Sequence, residues 1–339
     1  MVKDKREMVA HQAKLLKLTL MIVFVAIWTI LECIPPLAAQ PSHARLGVLT
    51  PGGAFAPVQE GLKEGLACLG YKEGQNITYI VEDTKGLSTG LAPRVAKLLG
   101  AKPDVLFTVT TIHSAAAKEA TATVPIVFAW AIDPDRAGLI ASYASSKNNL
   151  TGVTSLNASI SGKRLEVLMD LAPKVKRLLI LVASMPSAGE VELPFLEETA
   201  KKLRIQLVRR VVTNREEIEK AFREFPTGSI DGIYYLPAAM TRTNIDLFIK
   251  KAKSDKIPLA VHEESVVEQG ALFSYGPNPR AVGVQAAALA DKVLKGTKPS
   301  NLVVETPNSL FLTINLATAK EIGLHTPRAI LERADRLIK

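Results

Sequence analysis

Arg45-Leu46-Gly47-Val48-Leu49-Thr50-Pro51-Gly52-Gly53 is the stretch whose reading decides the fold. A short aliphatic run reads as a buried strand and ends at Pro51 and the glycine pair. Val58, Leu62, Leu66 and Leu69 then recur at helical spacing until Gly70 offers a C-cap. Strand, glycine loop and helix in that order make half of a βαβ unit, and the same pattern continues outward. Further strand signals fall at 76–82, 104–109, 125–131 and 151–155, and a second set at 177–183, 205–212, 232–236, 258–261 and 271–275. Asn214 followed by Glu217 predicts a capping box opening a helix that buries Ile218, Ala221, Phe222 and Phe225. The helix at 281–295 stops at Gly296, with Pro299 beyond. This alternation predicts an α/β protein with parallel sheets covered on both faces, and its two sets predict two Rossmann-like lobes. Ligands of open α/β sheets lie beyond the carboxyl ends of the strands, so the loops after the strands form the candidate site, in a cleft where two lobes face each other.

Composition narrows the function classes. At 339 residues, 47% hydrophobic and 22% charged, the chain is a packed globular protein long enough for two lobes. Lys3, Lys5, Arg6, Lys14 and Lys17 precede an apolar run at 18–31, and Leu37-Ala38-Ala39 follows Pro35-Pro36, which reads as a secretory signal peptide over 1–39. The protein is therefore expected in the periplasm, tethered to the inner membrane if uncleaved. No later run approaches the roughly 18 apolar residues of a membrane span, so the mature part is expected to be soluble. Cys33 and Cys68 are the two cysteines; cleavage leaves one thiol and no internal disulfide, and Cys68 is expected on the buried face of the first helix. Glu32 before Cys33 argues against a lipid anchor.

The net charge is +9, and five Lys/Arg and three Asp/Glu precede residue 40, leaving +7 on the remainder. These charges are scattered in pairs such as Lys201-Lys202 and Arg209-Arg210, without the basic run or interleaved aromatics of a nucleic-acid binder. The histidines, at 11, 43, 113, 262 and 325, lack ligand spacing: after His262-Glu263-Glu264, position 266 is Val where a zinc-protease helix needs histidine. There is no Gly-x-Ser-x-Gly, and no acid, base and nucleophile constellation to assign. The residues thus point to a binding protein rather than an enzyme, with no cofactor.

Several phrases, taken in order, carry a resemblance. They are Val124-Pro125-Ile126-Val127-Phe128 through Ile132-Asp133-Pro134, Ala137-Gly138-Leu139-Ile140-Ala141-Ser142, Asn149-Leu150-Thr151-Gly152-Val153 and Ser161-Gly162-Lys163-Arg164-Leu165-Glu166. Ser274-Tyr275-Gly276-Pro277, Val304-Glu305-Thr306-Pro307, the run from Ile314 to Leu324 and Ala334-Asp335 follow. Over about residues 44–338 the chain resembles the ABC-transporter substrate-binding family that includes tryptophan and tyrosine binders. The resemblance implies a type I periplasmic-binding architecture, two Rossmann-like lobes joined by a multi-strand hinge. The lobes are expected at 44–153 plus 276–339, the C-terminal segment partly returning to the hinge, and at 154–275. It also implies a periplasmic monomer that closes on a small organic solute, an amino-acid-like molecule or an aromatic or aliphatic acid, and presents it to an ABC permease. The alternative is a ligand-sensing periplasmic subunit for a membrane signalling partner.

Candidate ligand contacts follow from strand ends. Pro51, Gly52 and Gly53 open a helix whose free N–H groups suit a carboxylate, or else they only turn the chain. Thr110 and Thr111 occupy the corresponding loop after the third strand, as hydroxyl ligands or as a cap near His113. Trp130 ends the fourth strand and offers an indole for stacking, with Asp133 beside it as an ammonium partner or a turn residue. Ser155 and Asn157 stand where the chain first enters the second lobe, and Ser184, Ala238, Met240 and Glu263 follow strands of that lobe. The amino-acid-binding relatives resemble Asp-Asn where this chain reads Leu236-Pro237-Ala238-Ala239; this departure removes a polar anchor for an α-amino group and leaves a more apolar or non-amino ligand open beside an amino-acid-like one.

Overall fold

The computed structural model describes residues 43–87, 89–155, 160–184 and 188–339. Residues 1–39, expected to be a signal peptide, and Asn157 lie outside the described residues. The first sheet contains β1 (Ala44–Thr50), β2 (Ile77–Asp83), β3 (Val105–Val109), β4 (Ile126–Ala131) and β5 (Leu150–Thr154), all parallel, in the order β2-β1-β3-β4-β5. β3 and β4 are buried at every residue, as expected of parallel strands covered on both faces, which is why they read as continuous apolar runs rather than as alternation. α1 (Ala56–Cys68), α2 (Leu91–Gly100) and α3 (Thr111–Ala120) connect them.

The second sheet repeats this winding. β6 (Arg177–Ala183), β7 (Gln206–Val212), β8 (Gly232–Tyr234), β9 (Leu259–Val261) and β10 (Phe273–Gly276) run parallel in the order β7-β6-β8-β9-β10. Its helices are α4 (Ser161–Leu171), α5 (Ala188–Leu203), α6 (Arg215–Glu224), α7 (Ala239–Thr243), α8 (Ile245–Asp255) and α9 (Glu264–Glu268). Each sheet has its switch of winding direction between the first and third strands of its set, β1/β3 and β6/β8. The cap predicted at Asn214 forms, its Oδ1 accepting from the Glu217 N–H at 2.9 Å. The Glu217 carboxylate reaches one residue further back than a capping box requires, to the N–H and hydroxyl of Thr213.

The C-terminal quarter departs from the expected lobe boundary. α10 (Pro279–Leu294) packs on α1 of the first lobe, with Val282, Ala286, Leu289 and Val293 in the same core as Val58, Leu62 and Leu66. The crossing is so close that a Cβ on Gly61 would lie 1.9 Å from the Arg280 carbonyl oxygen, and one on Gly283 2.0 Å from that of Val58. Beyond it, β11 (Phe311–Asn315) pairs antiparallel with β10, and β12 (Arg336–Ile338) pairs parallel with β11. Together with α11 (Leu316–Glu321) and α12 (Arg328–Leu331), these residues belong to the second lobe, not the first, because Leu312 and Ile314 are buried with Leu272 and Phe273.

The return passage is tied to the first lobe. Glu305 bridges to Val153 of β5: its N–H donates to the Gly152 carbonyl, and its carbonyl accepts from the Thr154 N–H. From α10, the Gln285 amide donates to Glu305, the Thr306 carbonyl and Asn308, and accepts from the Asn308 N–H. Cys68 and Leu69 correct another expectation: both are exposed, because α1 has turned past its packed face by its last residue. No helix among the described residues is long and apolar enough to cross a membrane.

Candidate functional site

A cleft of about 1120 Å³ lies at the carboxyl ends of both sheets and is lined from both lobes. On the first lobe the chain leaves β1 through Gly52, at φ 62° and ψ −156°, a conformation open essentially to glycine alone. The Gly52 N–H donates to the Thr50 hydroxyl at 3.2 Å, and a side chain at 52 would run into Asp83, whose Oδ2 lies 2.4 Å from the position of a Cβ. The loop after β3 repeats this geometry with a residue that has a side chain: Thr110 adopts φ 75° and ψ 161°. Such strain persists only where surroundings enforce it, and here they are visible. The Thr110 hydroxyl bonds His113 Nδ1 at 2.8 Å, His113 Nε2 bonds the Thr84 hydroxyl at 3.0 Å, and the Ser114 hydroxyl donates to the Thr110 carbonyl. Burial lowers His113 to about 4, so the ring is neutral and joins the two loops with one donor and one acceptor nitrogen.

The same wall carries the aromatic surface. The pairing of β4 with β5 slips between Ala129 and Ala131, and Trp130 takes φ 62° at that slip. At that bulge Trp130, largely buried in the first lobe's core, also lines the cleft, where Phe55 meets it edge-on at 6.4 Å. Thr111 fixes the adjacent loop, its hydroxyl accepting from the Ile132 N–H at 2.9 Å.

On the second lobe the wall is built from Tyr235, Pro237 and Ala238 after β8 and from His262 and Glu263 after β9. Arg242 of α7 donates through Nε to Glu263 Oε2 at 2.7 Å. Burial pushes the Glu263 carboxyl up, and Arg242 opposes it. The His262 ring stacks on Tyr235 at 5.6 Å, and burial, reinforced by Arg164 and Arg242, holds it well below the usual histidine range.

Behind this wall sits a fully buried Arg164, donating through Nη1 to Glu192 and Tyr234, each at 3.0 Å, and through Nε to the Tyr275 carbonyl. It pins the end of β10, where the chain leaves for the first lobe. Burial pushes the Glu192 carboxyl up and the Arg164 charge pulls it back.

Residues 48–338 match the family described as ABC transporter substrate binding protein. The chain belongs to this family. The tyrosine-binding protein of Clostridioides difficile is 27% identical over 266 residues, 78% of this chain and 76% of that protein. Among solved structures, a conserved domain protein from Vibrio cholerae aligns with a TM-score of 0.75 at 28% identity, covering 87% of this chain and 99% of that one. The ABC domain in complex with L-Trp from Streptococcus pneumonia aligns with a TM-score of 0.77 at 24% identity, covering 88% and 100%. The architecture is the type I periplasmic-binding fold.

In this substrate-binding protein the cleft brings together Pro51, Gly52, Gly53, Thr110, Thr111, Trp130, Ala238 and Glu263 of the positions singled out in the sequence. Four other described positions, Asp133, Ser155, Ser184 and Met240, are not part of its lining. Asp133 stands in a turn, its carbonyl accepting from the Ala137 N–H, and is outside the cleft lining. Ser155 is fully buried and donates its N–H to Ala131. Ser184 is exposed outside the cleft, and Met240 packs against the core around Phe248.

Sequence reasoning passed over Phe55, Asp83, Lys85, Arg242 and His262 as cleft residues. The signal for Asp83 and Lys85 was available, since they lie at and just beyond the carboxyl end of β2, as Gly52 lies beyond that of β1. Arg242 had none, because its approach to Glu263 spans 21 residues. Among the described residues no group of three His, Cys, Asp or Glu is arranged to hold a metal ion. The Thr110 and Thr111 hydroxyls are tied to His113 and Ile132, which suits them to shaping a wall rather than attacking a substrate.

Proposed function

We propose that this protein is an exported receptor that closes its lobes around a small organic solute, amino-acid-like or an aromatic or aliphatic acid, and delivers it to an ABC permease in the inner membrane. The observation that carries this is the pairing, on one wall of the interlobe cleft, of a Trp130–Phe55 surface with the glycine and threonine turns that open α1 and α3. An apolar body stacks on the indole while helix-start N–H groups receive an acid. The name of the Clostridioides difficile relative, a tyrosine binder, is in keeping with such a ligand. A cleft of about 1120 Å³ is at the large end of the roughly 300–1,000 Å³ usual for a small-molecule site, which is in keeping with lobes that close on their solute. Ligand that touches both walls only in the closed arrangement shifts the population toward it, and a permease reads that shift.

The test is melting of the purified protein against amino acids, aromatic acids, aliphatic acids, nucleosides and sugars. A ligand at 100 times its Kd adds about 2.7 kcal/mol, a rise of several degrees. Trp130→Ala is expected to remove that rise. A panel in which only nucleosides or sugars stabilise the protein, or a rise that survives Trp130→Ala, would refute the proposal.

A further inference from the structure

Most charges lining the cleft are committed to each other. Arg242 pairs with Glu263, Arg336 with Glu264 and Glu268, and Arg280 with Glu60. Among the described residues, Asp83 and Lys85 are the lining charges without an ion-pair partner, and they do not pair with one another. Asp83 is the last residue of β2 and Lys85 stands in the turn that follows, both on the wall that carries Gly52 and Trp130.

The loop is held rigidly. Thr84 and Gly86 donate their N–H groups to the Thr50 and Pro51 carbonyls at 2.9 and 2.8 Å, which fastens the loop to the end of β1. Asp83 Oδ1 accepts from the Lys85 N–H at 2.7 Å, and Arg94 holds the Asp83 carbonyl at 3.2 Å. The carboxylate lies against Gly52 where any side chain would collide with it, so the glycine turn leaves space for this acid beside the end of β1. The second lobe offers no equivalent: Pro237 and Ala238 follow β8, and Glu263 is bound to Arg242.

We infer that Asp83 receives the ammonium group of a zwitterionic solute and Lys85 its carboxylate, so that this loop selects amino acids over acids that lack the amino group. Two opposite charges two positions apart, both lining the cleft and neither in an ion pair, complement two opposite charges carried on one carbon. The inference rests on reading the cleft as the binding site and adds the charge pattern of its ligand. It also offsets the loss of polar residues at Pro237 and Ala238, placing amino-group recognition on the opposite lobe.

Calorimetric titration of the purified protein tests it with tryptophan, phenylalanine, tyrosine and leucine, and with each same acid lacking the amino group. The wild-type protein is expected to prefer the best amino acid about 10- to 100-fold over its desamino partner. Asp83→Asn, nearly isosteric and in an exposed position, is expected to abolish that preference by weakening the amino acid and strengthening the desamino acid. Lys85→Met is expected to weaken both, with the preference kept. Equal wild-type affinity for the two members of a pair overturns the inference without touching the cleft reading, because both still bind. A preference that persists in Asp83→Asn overturns it as well. Failure of every compound to bind overturns both.

Discussion

Replacing Gly61 by alanine puts a methyl group where α1 and α10 touch backbone to backbone. The added Cβ would sit 1.9 Å from the Arg280 carbonyl oxygen, 2.8 Å from its carbon and 3.0 Å from the Val284 nitrogen. An ordinary carbon–oxygen contact is about 3.3 Å, so the axes must part by roughly 1.4 Å, and no rotamer change relieves a clash between main chains. Separation by 1 Å forfeits about a quarter to a half of each dispersion contact across the seam, where Val58, Leu62 and Leu66 meet Val282, Ala286 and Leu289. Overpacking of this kind costs about 3 kcal/mol, and alanine's better helix propensity returns about 1. The net loss of about 2 kcal/mol lowers Tm by about 4–8 °C in calorimetry. Gly100→Ala is the control, because a Cβ there meets nothing within 4 Å, and it is expected to leave Tm unchanged or slightly higher. The effect reaches function as well, since α10 starts at the cleft beside Asn278 and Arg280 and holds the return passage through Gln285. A Gly61→Ala protein melting within about 1 °C of wild type would show that the helices are not locked as the geometry requires.

Acid unfolding has a directional contribution from His113. Its folded value of about 4 lies below the unfolded value of 6.5, so the unfolded chain binds more protons between them. The stability it contributes is complete above the unfolded value and is lost as pH falls toward 4, on the order of 2 kcal/mol after allowance for screening. Urea melts of wild type and His113→Gln at pH 7 and pH 4.5 are expected to converge at the lower pH; a constant difference would contradict the assignment. Arg164→Leu strands the Glu192 carboxylate in the core and is expected to cost about 3–5 kcal/mol, most of it recovered by adding Glu192→Leu. Urea denaturation midpoints check it, and a double variant no more stable than the single one would mean that Arg164 acts through Tyr275 instead.

What the sequence determined by itself was the set of local elements and their class. Strands on both lobes announced themselves as short apolar runs, and Asn214 marked a helix start, because burial on two faces and capping act over a few residues. The rule that ligands lie beyond the carboxyl ends then reached Gly52, Thr110, Trp130 and Glu263 without coordinates. Tertiary structure alone decided which partners those residues meet. β11 and β12 are short, and their assignment to the second lobe depends on pairing with β10 after the chain has visited the first. Cys68 followed an apolar stripe that ended one turn earlier than its period suggested. Asp133 and Ser155 stood beside strand ends but lie outside the cleft lining, while Trp130, at a register slip, is part of it. The Arg242–Glu263 pair and the free charges of Asp83 and Lys85 have no periodic signature. Hydrophobic period and capping are properties of neighbouring residues, whereas an ion pair, a close helix crossing or a shared cleft exists only once distant segments are packed together.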